Sequence, residues 1–584
     1  MKTLGWAVLV LVCACGGTPP GTDGGNGGGG TGGTGGGGGA GGGGGAGGGT
    51  AFDAGLPDGG VLDCGDQEIR DLTIPMRDGQ TLSAWGRLPK QAGCALPVVL
   101  IQTPYGKDNA KSSWFGDGGF PQPLFASKDY AFIVEDWRGF FGSAAAKVAG
   151  AQPWAEDGFD TVEWIAAQPF SNGKVGTWGV SALCVQQYRT AVLKPPHLSA
   201  AVPIFCEMNT EYEQYYPGGV LRREYFNFIS LYFGATAVLS TPYDNAVWTA
   251  ASQQLKPADI TVPMMLVAGW YDLTPTLDFR TFDKLVAGSP AGAQHRLVIG
   301  DWIHFATGGE SVSGRALTPQ ELLYVDSAGK IQQDSRDFFD LHLRGISASA
   351  AAGWSKVRYV RSGEGVWESS DRWPPLGQVP TTLYLNGAKK LVAAAPAAAT
   401  LTLPYDPKNP SPTVGGATLL PNLIHGPQNQ AAVISRGDAL SFTGATLTAP
   451  LRIRGPVQAF LDLKTTGYDT DVAIRLTDVE PDGGQLLIGE GIRRLKLRNA
   501  LGPLPDPVDA GSRATVPVTL TNELAYTWGV GHAVGLIVTG SNSPRFDANP
   551  NNGQNFFTDA GLSVAVTDTY YFDGASKLVL PVDP

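Results

Sequence analysis

Three residues have the types and the order that nucleophilic acyl transfer needs: Ser181, Asp272 and His304. A serine hydroxyl attacks a carbonyl only when an imidazole takes its proton, and a carboxylate must hold that imidazole in the right tautomer. Ser181 stands in KVGTWGVSALC (Lys174–Cys184), Asp272 ends MMLVAGWYD, and His304 ends LVIGDWIH. Each closes a short apolar run. The chain has 6 histidines, few enough for elimination. His197, His295 and His342 fall in a helix or in helix-to-strand connections, and His425 and His532 fall in a later β-rich region. Only His304 follows a strand downstream of the serine. Each residue also has a plain structural reading: Asp272 as a helix cap, His304 as a loop histidine with its bonds satisfied. Three such residues in order at three strand ends point to chemistry more strongly than any one alone.

The elements that must position them read as follows. IPMRDGQTLSAWGRLP (Ile74–Pro89) suggests a hairpin about Asp78-Gly79. Continuous apolar runs at Pro97–Gly106, Tyr130–Gly139, Lys174–Ser181, Leu198–Phe205, Pro263–Asp272 and His295–His304 fit strands buried on both faces of a parallel sheet. Between them, Glu156–Gln168 carries Phe159, Val162, Ile165 and Ala166 on one helical face. Alternation of this kind gives an α/β domain, expected over 63–206 and 259–350. Serine, acid, histidine is the order of α/β-hydrolases, whose nucleophile sits on a tight strand-to-helix turn. Gly179 supplies one small neighbour to that turn and Ala182 a backbone N–H for an oxyanion, but Leu183 stands where Gly-x-Ser-x-Gly has its second glycine. The aromatic-rich stretch 207–258 interrupts the sheet pattern and suggests an inserted helical cap. From 351 to 584, short alternating strands with Pro/Gly turns suggest an all-β jelly roll. A chain of 584 residues accommodates two or three such domains.

The N-terminus points to export. A short charged start and the apolar run Leu4–Val12 precede Val12-Cys13-Ala14-Cys15, which resembles a bacterial lipobox. Residues 1–14 are therefore expected to be a signal peptide, with Cys15 lipidated and membrane contact made by that anchor only. Residues 15–62 are expected to be a linker, since 24 of the 35 residues from Gly16 to Thr50 are glycine and cannot build a core. The expected location is the bacterial cell envelope. A net charge of −11 argues against nucleic acid as a partner. Cys64, Cys94, Cys184 and Cys206 remain, an even number that favours disulfides in an exported chain, with three pairings open. None of their spacings resembles a zinc site.

At this point the chain resembles a known family. IPMRDGQTL, QTPYGK, FIVEDWRGFFGS, EDGFDTVEWIAAQPFSNGKVGTWGVS, GWYD, LVIGDWIH, DFFDLHLRG, WPP, YDPKNPSPTVGG, GPQNQ, LTDVEPDG and NPNNG, taken together, are similar to the cocaine-esterase-like (CocE/NonD) hydrolases. Those enzymes are related to X-Pro dipeptidyl-peptidases and α-amino-acid ester hydrolases. The resemblance covers nearly everything after residue 65. It implies an α/β-hydrolase domain with an inserted helical cap, followed by a jelly roll. It also implies Ser181 as nucleophile, Asp272 as acid, His304 as general base, and the Tyr105 phenol as an oxyanion donor beside the Ala182 amide. No metal or organic cofactor is implied. The substrate would be a small ester, an amide or a short peptide, cleaved through an acyl-enzyme. By analogy with α-amino-acid ester hydrolases, Glu207, Glu211 and Glu213 are candidates for holding a substrate ammonium, against the plainer reading of a solvated face. The family usually has Tyr after the serine and Gly three residues after it; here Ala182 and Cys184 stand there. Cys184 falls in the first turn of the helix after Ser181 and Cys206 just past the next strand, neighbouring places at one edge of a parallel sheet. A Cys184–Cys206 bridge is therefore expected, with Cys64–Cys94 as the other; the alternative is a free, buried Cys184. EDWRG (Glu135–Gly139) reads as a loop brace with Arg138 paired to a carboxylate. The acidic stretch Tyr468–Gly484 reads as solvated turns rather than a calcium loop. Two rival functions are an X-Pro dipeptidyl-peptidase-type peptidase and, from another class, a surface-binding lipoprotein with an inactive hydrolase domain.

Overall fold

The computed structural model describes residues 64–584 apart from 116–121, 306–310, 313–314, 327, 503–505, 507–510 and 554–561. The expected signal peptide, linker and Cys15 lie outside the described residues. A ten-stranded mixed sheet organises the first part of the chain. Its first eight strands along the chain are β1 (Gln67–Pro75), β2 (Thr81–Pro89), β3 (Leu96–Thr103), β4 (Ala131–Asp136), β5 (Ser171–Val180), β6 (Leu198–Ile204), β7 (Met265–Tyr271) and β8 (Arg296–Ile303). They lie in the order β1-β2-β4-β3-β5-β6-β7-β8. The hairpin β1–β2 joins antiparallel to β4, and from β4 onward the neighbours run parallel through β8. β3, β4 and β7 are buried at every residue, as their unbroken apolar runs require.

The sheet continues past residue 350. Val357–Arg361 pairs parallel to β8, and Val366–Ser370 pairs antiparallel to Val357–Arg361. The sequence reading assigned this stretch to the β domain. Its alternating pattern describes a half-buried strand but does not say which sheet accepts it.

Between β6 and β7 lies the cap, with helices at Tyr212–Tyr215, Arg223–Phe233, Thr236–Leu239 and Ala246–Ala251. Tyr212, Tyr215, Tyr216, Phe226 and Trp248 give it an apolar nucleus of its own. The C-terminal region is all-β, a nine-stranded sheet facing a four-stranded one over a core that includes Leu461, Ile474, Trp528 and Leu536. Cap and β domain meet closely: a Cβ on Gly218 would overlap the Ile492 carbonyl, so only glycine fits there. Arg223 of the cap forms a two-pronged pair with Asp547 at 2.7 and 2.6 Å.

The acidic stretch meets expectation only at its end, where residues 480–484 form a turn with Asp482 exposed. Asp469 and Asp471 are buried and face Arg494 and Asn549, and Asp478 accepts from Tyr526 and His532. Asp471–Val479 is an inner strand of the four-stranded sheet, so its carboxylates are internal ion-pair partners instead of solvated turn residues.

Candidate active site

β5 ends at Val180, and the chain turns at Ser181 straight into the helix Ala182–Ala191. Ser181 holds φ 59° and ψ −121°, a backbone state that a non-glycine residue keeps only when its surroundings enforce it. They do: the Ser181 N–H donates to the Ile204 carbonyl at 2.9 Å, and the Ser181 carbonyl accepts from Cys184 and Val185. Buried Gln187 ties the same helix to β5 and β6 through bonds with Thr177, Gly179 and Val202. Leu183 is accommodated because Gly179 has no side chain; a Cβ at 179 would stand 2.5 Å from the Leu183 Cβ. One glycine of the usual motif therefore suffices.

Asp272 and His304 follow β7 and β8, and His304 Nδ1 lies 2.6 Å from Asp272 Oδ1. Both are buried. The other histidines are occupied elsewhere: His197 with Glu163, His295 with the Met264 N–H, His342 against Phe338, His425 with the Leu420 carbonyl and His532 with Asp478. Tyr105 follows β3, and its side chain lines the same cavity as Ser181. Burial raises that phenol above its ordinary range, so it remains an O–H donor at working pH. The EDWRG segment braces this loop, since Asp136 accepts from the Lys107 N–H at 2.6 Å, and Arg138 pairs with Asp157.

Ser181, Ala182, His304 and Tyr105 all line one cavity of about 110 Å³. The cap closes it with Phe228, Ile229 and Phe233, and the β domain contributes Leu419. Neither the cap side chains nor Leu419 was legible as a site residue, because nothing local in their segments marks them. Cys206 lines the floor and is bridged to Cys184, with a Cα separation of 6.1 Å; Cys64 is bridged to Cys94 at 5.8 Å.

Of the three cap glutamates, only Glu207 faces this cavity. It accepts from Thr274 Oγ1 at 3.1 Å, and burial pushes its carboxyl up to about 7. Glu211 instead pairs with Lys284 at 2.5 Å, and Glu213 pairs with Arg280. Both cations sit on the helix Pro275–Gly288, distant in sequence, so the spacing of the glutamates could not show that they were already taken. Asn522 was also missed: its Nδ2 donates to the carbonyls of Trp270 and Asp272 at 3.1 and 3.0 Å.

A parallel-centred sheet, an elbow serine, a buried Asp–His pair, a cap and a β domain together define an α/β-hydrolase of the capped type. Comparison with known proteins gives the family. The model of the X-Pro dipeptidyl-peptidase (S15 family) matches residues 78–241, and that of the X-Pro dipeptidyl-peptidase C-terminal non-catalytic domain matches residues 351–575. Cocaine esterase of Rhodococcus sp. (strain MB1 Bresler) is 27% identical over 555 residues, covering 83% of this chain and 92% of that protein. Among solved structures, an aminopeptidase from a marine sediment archaeon (Thaumarchaeota archaeon) shares the fold with a TM-score of 0.73 at 21% identity, over 91% of this chain and 99% of that one. An α-amino acid ester hydrolase does so with a TM-score of 0.71 at 22% identity, over 91% and 99%. A CocE/NonD family hydrolase from Staphylococcus aureus has a TM-score of 0.63 at 21% identity, over 88% and 94%. The two matching models and these likenesses together support a CocE/NonD-like family related to the X-Pro dipeptidyl-peptidases.

Proposed function

We propose that this protein is a serine hydrolase that cleaves a small ester or amide through an acyl-enzyme. The observation that carries the proposal is the buried Asp272–His304 pair opening on the same cavity as a strained Ser181. With Nδ1 donating to Asp272, His304 Nε2 is free to take the proton from Ser181 as its oxygen attacks the carbonyl. Asp272 then stabilises the imidazolium. The Tyr105 O–H and the Ala182 N–H hold the oxyanion. His304 returns its proton to the leaving group, and water, deprotonated by the same imidazole, releases the acid and regenerates Ser181. Glu207 supports a preference for substrates carrying an ammonium in its ionised form, above about pH 7, since it is a carboxyl at the wall of this cavity.

A fluorophosphonate probe tests the mechanism: it is expected to label the protein and to fail on Ser181→Ala. Folded protein that does not label would favour the binding lipoprotein instead. Rates on p-nitrophenyl esters, aminoacyl esters and X-Pro anilides would then separate esterase from peptidase. Export and lipid anchoring belong to the same proposal, supported by the lipobox-like VCAC and by two disulfides, which persist in oxidising compartments. Incorporation of an alkyne fatty acid, lost in Cys15→Ala, is the expected result.

A further inference from the structure

A second cavity, of about 250 Å³, lies where the cap, the helix Pro275–Gly288 and the β domain meet. Leu273 and Thr274, directly after Asp272, line both this cavity and the active-site cavity. Three guanidinium groups face the second one: Arg222, Arg280 and Arg493. Arg280 is matched by Glu213 and Glu211. The remaining wall carboxyl, Glu523, accepts from Trp373 Nε1 at 2.9 Å and is pushed by burial toward its neutral form.

Arg222 and Arg493 are different. Arg222 is only 1% exposed; its Nη1 donates to the Leu273 carbonyl at 3.1 Å, and its Nε is buried without a partner. Arg493 Nη2 donates to the Arg498 carbonyl at 3.2 Å, and its Nε likewise has no partner. Among the described residues, no carboxylate stands within ion-pair distance of either. The carboxyls acting on Arg222 at longer range are Glu224 and Glu207, which burial drives toward the neutral form, and Asp272, which is engaged with His304; those acting on Arg493 are Glu213, already paired with Arg280, and Asp506. A buried guanidinium without a counter-charge is costly, and its planar fork suits a two-oxygen partner. The helix Pro275–Gly288 starts at the same space, where Thr274, Thr276 and Leu277 line the wall, and brings the positive end of its dipole.

We propose that this cavity binds a small oxyanion, a carboxylate or a phosphate group, held by Arg222 and Arg493 at the start of the helix Pro275–Gly288. The test is titration calorimetry of the folded protein with sodium acetate and with inorganic phosphate, in a constant chloride background. Saturable one-site binding of at least one of them is expected. Acetate binding the tighter assigns the carboxylate source, and phosphate the tighter assigns the other. Arg493→Gln is expected to weaken binding roughly tenfold or more, and Arg493→Lys less, because it keeps the charge but loses the fork. Ser181→Ala is expected to bind like the parent, since the site lies outside the catalytic cavity. Absence of saturable binding for both anions, indifference to both Arg493 variants, or loss in Ser181→Ala would each overturn the proposal.

Discussion

At the scale of single residues, the side chains around Ser181 separate by what they can donate. Tyr105 is the one whose role the sequence could suggest only through family resemblance, since a tyrosine after a strand is by itself an ordinary core residue. Its phenol shares the cavity with Ser181 and is kept protonated by burial, as the proposed oxyanion donor must be. Tyr105→Phe is therefore expected to lower kcat by roughly 10²–10³ with little change in KM, the size typical of a lost oxyanion donor. Steady-state kinetics on the best p-nitrophenyl ester checks this; an unchanged kcat would remove Tyr105 from the oxyanion site. Glu207 makes a different prediction. Its folded-state carboxyl titrates near about 7 against a usual 4.5. Below the lower value both folded and unfolded states hold the proton, so Glu207 contributes nothing to the pH dependence there. Between the two values only the folded state keeps it, so stability falls as pH rises, and above about 7 the full cost of a buried carboxylate is present. Glu207→Gln should remove that slope. From about pH 4 to about pH 8, urea unfolding should show the variant gaining on the parent by up to about 3 kcal/mol.

At the scale of elements, the turn from β5 into the helix Ala182–Ala191 explains why a sequence lacking the second motif glycine still makes an elbow. Crowding at such a turn is between positions 179 and 183, and the pair Gly179/Leu183 relieves it from one side. That much was legible locally, because strand ends, small residues and residue order are all written in short segments. The Cys184–Cys206 bridge was legible for the same reason: it joins the first turn of one helix to the end of the adjacent parallel strand. The bridge closes a loop of 22 residues, which the chain-entropy model values at about 3 kcal/mol. Because Cys206 also lines the cavity floor, the double variant Cys184→Ala/Cys206→Ala is expected to lose stability of that order. It should lose activity on bulky substrates sooner than on small ones. Denaturant midpoints and the ratio of kcat/KM for a long and a short acyl ester measure both; equal losses on the two would confine the bridge to a stabilising role.

At the scale of the whole molecule, the β domain contributes to the candidate site, and this is the part of it that sequence could not show. Leu419 reaches the cavity from the β domain, Thr418 bonds the cap residue Glu224, and Asn522 grips the loop that carries Asp272. These partners lie hundreds of residues apart, joined only by folding, so no periodicity or motif in either segment records them. The cations that occupy Glu211 and Glu213 were hidden in the same way, on a helix 73 and 67 residues further along the chain. Asn522 offers the clearest test. Its amide nitrogen satisfies two buried carbonyls, Trp270 and Asp272, at the end of β7. Asn522→Ala leaves both without that donor at a cost of about 1–3 kcal/mol. The same change frees the backbone that sets the carboxylate of Asp272 against His304. A small displacement of an orienting group costs far more in the transition state than in substrate binding, so kcat is expected to fall roughly ten- to hundredfold while KM changes little. Kinetics paired with denaturant unfolding distinguish the roles: loss of stability with an unchanged kcat would make Asn522 a domain clasp only. A fall in kcat in protein that remains fully folded would show that the acid of one domain is held in place by the other.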